Sequence, residues 1–325
     1  MTTSVALCTY NGEKFLRKQL DSILHQTVSV DEIVVCDDCS TDSTQNILEE
    51  YRIQYPHLFK VHINETNLRS VKNFEKAISL CENEIIFLSD QDDLWVKEKV
   101  EEYISFFSNN LETDAVCSNG YAIDEDDKIL NVLSIWDVIA EKQESKKINY
   151  FETINYIGNF STGASMAARR ELLSECLPFP LIEGFHHDEW IALIAAFKNK
   201  FEFLPKKYFY YRKHDDQQVG GVFFKNTLKK KNQIMDYFQI DDDSNKSFNN
   251  YKHILKRLSL SYKKNKILID TSNLYKHHFS STSEKTKDLF YLYKSKMEKR
   301  YPVKSFFLNW IDKFSNKRQL AKNTD

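Results

Sequence analysis

The chain has 325 residues, 42% apolar and 28% charged, a globular composition that excludes collagen, coiled coil and wholesale disorder. Its longest apolar stretches run about seven residues, as at 191–197, where a membrane-spanning helix needs about 20; the first five residues lack the basic flank and apolar stretch of a secretory leader, so the expected location is cytoplasmic. The net charge of −2 hides a split: residues 1–224 carry 22 Lys+Arg against 37 Asp+Glu, whereas 225–325 carry 23 against 10, which points to two regions with different surroundings.

The first 120 residues alternate strand and helix patterns. Residues 4–8 form a short apolar run, and Leu16, Leu20, Ile23 and Leu24 then recur at helical spacing. Residues 32–36 are β-branched and end at Asp37-Asp38; Ser40-Thr41-Asp42-Ser43 offers capping side chains to a helix with Ile47, Leu48 and Tyr51 on one face. Residues 59–63 read as a strand, Val71, Phe74, Ile78 and Cys81 as a helix face, and residues 84–88 as a strand ending at Ser89-Asp90-Gln91-Asp92-Asp93. A helix follows over 96–107. Strands of about five residues alternating with longer helices predict βαβ units and a largely parallel sheet. Ligands of such sheets bind at the carboxyl ends of the strands, where the clusters Thr9-Tyr10-Asn11-Gly12, Asp37-Asp38 and Asp90 to Asp93 fall. Residues 120–150 are polar and read as a loop or excursion. A helix opens near Arg170, His186-His187-Asp188-Glu189-Trp190 precedes the apolar run 191–197, and an aromatic strand over 201–211 ends in Arg212-Lys213-His214. Beyond Gly220-Gly221 the composition turns to Lys, Asn, Ser and Tyr at helical spacing, with Tyr251, Ile254, Leu255, Leu258 and Tyr262 on one face. The domains are therefore drawn as 1–222 and a basic helical region, 223–325.

Asp90-Gln91-Asp92-Asp93 carries the strongest chemical signal. Carboxylates this close repel unless a cation or hydrogen bonds compensate, and oxygen ligands suit Mg2+ or Mn2+; the alternative is a solvated acidic turn capping the next helix. No GxGxxG and no GxxxxGK[ST] occurs, so Rossmann dinucleotide and P-loop readings fail. Asp188 or Glu189 reads either as a general base or as the cap of the following helix, and His214 as a ligand or a surface histidine. The six cysteines are scattered. Cys36-Asp37-Asp38-Cys39 has redox spacing but no second pair for zinc, and buried thiols are the favoured reading.

Taken together, these segments resemble the inverting glycosyltransferases of family 2, with the GT-A fold. Residues 5–27 are similar to the family's opening strand and helix, Asp37 to Thr44 to its DDxSxDxT, Phe87 to Trp95 to its metal-binding DxD segment, and Thr162-Gly163-Ala164-Ser165-Met166 to its acceptor-side turn. His187-Asp188-Glu189-Trp190 stands at the base position and Tyr211 to Gln217 resembles RxHxxN, with Gln217 departing from the usual Asn. His-Asp-x-Trp in place of Glu-Asp is more like the rhamnosyltransferase-like branch of bacterial surface polysaccharide synthesis. The resemblance implies a Rossmann-like, mostly parallel sheet and transfer of a sugar from a nucleotide-diphosphate donor, dTDP-rhamnose or otherwise a UDP-hexose or UDP-N-acetylhexosamine. The acceptor it implies is a saccharide on a polyprenyl-diphosphate carrier, an O-antigen or capsule intermediate. It assigns Asp188 as catalytic base, Asp92 and His214 to a Mg2+ or Mn2+ ion, and Thr9, Tyr10, Asn11, Asp38, Lys72 and Asp90 to the nucleotide-sugar. The rivals are an inverting glycosidase, which needs a neutral acid in place of an ionised metal cluster, a non-catalytic nucleotide- or glycan-binding module, and nucleic-acid binding by the basic tail, for which no module is visible.

Near the C-terminus, Pro302 is suited to open a helix. Phe306, Phe307, Trp310, Ile311 and Phe314 then share a face flanked by Lys304, Lys313, Lys317 and Arg318. Residues 302–318 read as an interfacial helix that holds the protein peripherally at the inner face of the plasma membrane, on anionic lipid. The alternative is that the aromatics pack against the catalytic domain.

Overall fold

The computed structural model describes residues 1–145, 147–214, 222–238, 246–271, 274–315 and 318–320. Motif positions 215–217 and 220–221 lie outside the described residues, as do Lys317 and the side chains of Lys313 and Phe314. The chain forms two compact units, Met1–Phe151 with Phe160–Thr227, and Glu152–Asn159 with Leu228–Asp325.

In the first unit, β1 (Thr3–Thr9), α1 (Leu16–Leu24), β2 (Glu32–Asp37), α2 (Thr44–Gln54), β3 (Phe59–Ile63), α3 (Arg69–Leu80) and β4 (Ile85–Ser89) alternate along the chain. β1, β2 and β4 are buried at every position, as strands covered on both faces must be. Leu16, Leu20 and Ile23 of α1 and Ile47, Leu48 and Tyr51 of α2 meet Val5, Leu7, Ile33, Val35, Ile85 and Phe87 in the core. β1 pairs in parallel with β2 and β4, placing Thr9 opposite Asp37 and Leu7 opposite Ser89. The strand ends carrying the polar clusters therefore finish side by side.

The unit continues through β5 (Leu94–Trp95), α4 (Lys99–Asn109), β6 (Ala115–Ile123), β7 (Val132–Ser134), α5 (Ile135–Ser145) and the start of α6 (Tyr150–Glu152), whose last residue and the π turn at Thr153–Ile157 belong to the second unit. A 3-10 turn at Gly163–Ser165 leads to β8 (Met166–Arg169), α7 (Arg170–Cys176), α8 (His187–Phe197), β9 (Phe201–Arg212) and β10 (Phe223–Lys225). The sheet order is β3-β2-β1-β4-β8-β6-β9-β5, with β8 antiparallel to both neighbours and β9 parallel to β6. This is a Rossmann-like, mostly parallel sheet flanked by helices. Bulges in the β6–β9 ladder fall around Asn119, next to Gly120, where a Cβ would lie 2.6 Å from the Phe209 ring; only glycine allows that approach.

Two stretches differ from the sequence reading. Residues 120–150 are not a loop: they complete β6, add β7 and form α5. Trp136 of α5 is fully buried and its indole N–H donates to the Phe160 carbonyl at 2.6 Å. Interleaved polar residues such as Asp137 and Glu141 mask this helix in the sequence. The helix expected from residue 96 begins at Lys99, because Leu94 and Trp95 first pair with Tyr210 and Phe209 of β9.

The second unit contains α9 (Leu228–Tyr237), α10 (Phe248–Thr271), α11 (Lys276–Arg300) and α12 (Pro302–Ser315). Tyr251, Ile254, Leu255 and Leu258 of α10 pack with Tyr156, Phe290, Tyr293, Met297 and Leu308. α12 starts at Pro302, whose fixed φ and missing N–H cost nothing at a helix's first position. Arg318 is not a free flanking cation: its guanidinium is ion-paired with buried Asp312 at 2.5 Å. No helix among the described residues is long and apolar enough to cross a membrane.

Candidate active site

The site grows from the carboxyl ends of β1, β2 and β4. Asp37 is fully buried and accepts hydrogen bonds from Thr9 Oγ1 at 2.7 Å and Ser40 N at 2.9 Å. Asp38 accepts from Asn64 Nδ2 at 2.9 Å, Leu68 N at 2.7 Å and Arg69 N at 2.8 Å. Asp38 thus fixes the start of α3, where a carboxylate meets otherwise unsatisfied N–H groups. Asn11 takes a left-handed φ of 48° and its carboxamide oxygen accepts from Thr41 N at 2.8 Å. Tyr10 beside it is 44% exposed. Lys72 is ion-paired with Glu75 at 2.7 Å.

The loop after β4 crosses in front of these strand ends, with Gln91 bonded to the Tyr10 backbone. Asp92 reaches His214, Oδ2 to Nε2, at 2.8 Å, although 122 positions separate the two residues. Asp90 is half-buried; desolvation and the neighbouring Asp92 charge push its carboxyl up to about 7. Burial pushes Asp93 well above the ordinary range too, even though Arg212 N donates to it at 2.9 Å. Two buried cations offset this cluster. Lys99 donates to the Ala164 carbonyl at 2.6 Å, lies 4.0 Å over the Trp95 ring, and is pushed down to about 7 by burial against the opposing pull of Asp93 and Asp90. Arg212, fully buried, donates through Nε to the Asp92 carbonyl at 2.7 Å and pairs with Asp127 at 2.5 Å.

On the other side lies the start of α8. Asp188 and Glu189 occupy its first turn. Asp188 accepts from Glu189 N at 2.6 Å and also from Gly163 N. The first of these is the partial capping role that the sequence left open. Burial outweighs both hydrogen bonds and, with Glu189 and Asp90 nearby, pushes Asp188 up to about 8. His187 is buried, its ring stacked 3.9 Å from Phe74, and burial lowers it to about 3, so it is neutral at physiological pH. Gly163 joins the halves: a Cβ there would lie 3.2 Å from Asp90 Oδ2 and 3.3 Å from His187 Nε2. Asp90, His187 and Asp188 therefore converge on one backbone position.

The Asp92–His214 pair fits a divalent cation. It supplies one hard oxygen and one imidazole nitrogen, and Mg2+ or Mn2+ ordinarily takes one or two protein ligands and completes its shell with phosphate oxygens and water. No group of three or more His, Cys, Asp or Glu side chains able to hold a metal gathers among the described residues. The cysteines are free thiols, five of them buried. Gln91, Lys99 and Arg212 were not singled out as site residues by sequence reasoning. Arg212 stood inside the RxH motif, and Lys99, one lysine among many at a helix start, carried no signal.

Comparison with known proteins accords with this geometry. The family model described as Glycosyl transferase family 2 matches residues 4–177. The dTDP-rhamnosyl transferase RfbG of Shigella flexneri is 27% identical over 242 residues, 69% of this chain and 77% of its own; mycobacterial relatives match over 33% of their own length. Among solved structures, Staphylococcus aureus TarS 1–349 in complex with UDP-GlcNAc aligns with a TM-score of 0.53 at 20% identity, covering 94% of this chain and 83% of that one. The mannosyltransferase PcManGT of Pyrobaculum calidifontis, in complex with GDP-Man and Mn2+, aligns at 0.51 and 14% identity, covering 95% and 78%. These two likenesses establish the GT-A fold. With more than half of its length matched by the family model, the chain belongs to glycosyl transferase family 2.

Proposed function

We propose that this glycosyltransferase moves a sugar from a nucleotide-diphosphate donor to a saccharide hydroxyl with inversion, and that the donor is dTDP-rhamnose. One observation carries the chemistry: the half-buried carboxyl of Asp188, raised to about 8, meets the Gly163 backbone that Asp90 also approaches, and Asp92, two positions on from Asp90, pairs with His214. A base poised near neutrality, together with residues able to hold a cation for the departing diphosphate, is what a single displacement requires. Asp188 takes the proton from the acceptor hydroxyl as that oxygen attacks the anomeric carbon from the face opposite the leaving group. Tyr10 and Asn11 receive the base and ribose beside Thr9, whose hydroxyl donates to Asp37, and Asp38, whose carboxylate fixes the start of α3. Asp90 contacts the donor sugar, and Lys72, on exchanging Glu75 for a phosphate, the diphosphate. Asp92 and His214 are the residues that would hold Mg2+ or Mn2+; bound there, the ion supplies Lewis-acid stabilisation of the departing diphosphate.

RfbG, a dTDP-rhamnosyl transferase, supports the rhamnosyl donor; TarS, solved with UDP-GlcNAc, supports UDP-N-acetylhexosamine as the second reading. The acceptor is a saccharide on a polyprenyl-diphosphate carrier of surface polysaccharide assembly, met by a peripheral enzyme at the inner membrane face. A thermal-shift screen of dTDP-, UDP- and GDP-sugars with Mn2+ tests the donor, since selective binding raises Tm by mass action. A dTDP-rhamnose shift exceeding all others is expected. A larger shift with UDP-GlcNAc selects the second reading, and none with any nucleotide-sugar removes both.

A further inference from the structure

α12 presents its apolar stripe outward. Among the described side chains, the positions it buries, Ser305, Leu308 and Asp312, recur three and four apart, and one of the three is apolar. Val303, Phe306, Phe307, Trp310 and Ile311 are instead 69%, 71%, 59%, 59% and 50% exposed. Spacings of three, four, seven and eight put these five side chains on one helical face. Single exposed apolar residues are ordinary, but a continuous stripe of this size marks a docking surface.

The segment that leads into α12 is strongly basic. Residues 294–304 contain Lys294, Lys296, Lys299, Arg300 and Lys304 against one acid, Glu298, whose carboxylate accepts from Asn309 at 2.8 Å. Asp312 is neutralised by Arg318. A second copy of this chain docked face to face through the stripe would set these cations against their own kind, which disfavours that partner. A bilayer containing anionic lipid matches both features, taking aromatic rings into the headgroup boundary and lysines against lipid phosphates.

We infer that the outward face of α12 is a lipid-docking surface specific for anionic bilayers. The observations belong to α12 and its neighbours; only the purpose, access to a lipid-linked acceptor, rests on the function proposed above.

Trp310 reports on the contact directly. All four tryptophans lie among the described residues, and Trp95, Trp136 and Trp190 are 4%, 0% and 4% exposed against 59% for Trp310. Full-length protein is titrated with vesicles of equal parts phosphatidylglycerol and phosphatidylcholine, and of phosphatidylcholine alone, at low and high salt. Tryptophan emission and co-sedimentation are read. The expected result is a blue shift and sedimentation with the anionic vesicles, both weakened by salt. The combined variant Phe306→Ser, Phe307→Ser, Trp310→Ser should lose at least about tenfold in vesicle affinity with an unchanged circular dichroism spectrum, because those positions are exposed. Point changes are chosen over truncation because Leu308 belongs to the core of the second unit.

Three results would overturn the inference: no binding to anionic vesicles, undiminished binding by the variant, or sedimentation velocity showing a dimer that the variant dissolves and vesicles do not. Transfer to a water-soluble acceptor should be equal in variant and parent. A parent that turns over no nucleotide-sugar defeats the proposed function and leaves the vesicle result standing by itself.

Discussion

The carboxamide of Gln91 closes a two-point hydrogen bond on the backbone of Tyr10, accepting from its N–H at 2.7 Å and donating to its C=O at 2.9 Å. The acidic loop is thereby tied to the loop after β1, and the neighbouring Gly12 has no Cβ because one would overlap the Gln91 carboxamide. The contact joins two segments 81 positions apart.

Gly12→Ala should therefore destabilise the fold and weaken nucleotide binding, and Gln91→Ala should cost about 1–3 kcal/mol for two hydrogen bonds. The pair should be non-additive, since removing the Gln91 side chain clears the space that the methyl group added at position 12 needs. Urea unfolding of both singles and the double measures this; strict additivity would mean that the contact does not link the loops.

Asp188→Asn keeps size and shape but cannot accept a proton. Turnover should fall by about 10²–10⁴-fold, while the nucleotide Kd, measured by calorimetry, stays within a factor of about three because Asp188 serves the acceptor side. Loss of binding together with turnover would move Asp188 to the donor site.

Burial raises Asp188 from 3.8 to about 8. Because the base works ionised, kcat/KM should fall as pH drops, with an acidic limb near 8 in place of the ordinary carboxylate range. The stability sign is opposite. The folded chain holds this proton between 3.8 and about 8 while the unfolded chain releases it, so the contribution is full below 3.8 and is lost as pH rises through 8. Asp188→Asn should accordingly raise Tm at pH 8 more than at pH 4. Parallel melts of both proteins check this, and a Tm difference that is flat with pH would contradict it.

Asp92→Asn and His214→Ala should each lower Mn2+ affinity in the presence of nucleoside diphosphate, followed by electron paramagnetic resonance, and cut turnover by orders of magnitude without unfolding. Exhaustive EDTA should abolish transfer and added Mn2+ restore it. Full activity after chelation would remove the metal from the reaction.

Gly163→Ala would place a methyl group 3.2 Å from Asp90 Oδ2 and 3.3 Å from His187 Nε2. His187 is buried and Asp90 half-buried, which leaves them little room to yield, so activity should drop at least about tenfold, with a stability cost of about 1–3 kcal/mol. Wild-type kinetics in this variant would mean the three side chains do not share working space.

β1 to β4 were legible because short β-branched runs and helical stripes alternate cleanly there, and the polar clusters mark their ends. The sequence also singled out Asp92, Asp188 and His214. Their roles remain for the experiments above, but the fold does gather Asp92 with His214 and Asp188 with Asp90. Asp38 and Thr9 carry structural hydrogen bonds that no spacing reveals, because their partners Leu68, Arg69 and Asp37 depend on where helix and strand ends meet. Lys99 was hidden for a different reason. Lysines are seldom fully buried, so one among many charged residues reads as solvated until its carboxylate neighbours are placed around it. α5 escaped detection because Trp136 and Ile139 are followed on the inward face by Lys142, a charged residue where the apolar stripe would continue.

The second unit borrows Glu152–Asn159 from inside the stretch that otherwise builds the first, and Tyr156 sits in its core beside Tyr251, Ile254, Leu258 and Tyr293. The two units are not modules that recombination can cut apart at a single joint. A gene ending after residue 227 would leave Tyr156 and Ile157 stripped of their cover, an apolar scar on the shortened protein. A chimera that exchanges the helical half between relatives has to carry residues 152–159 with it.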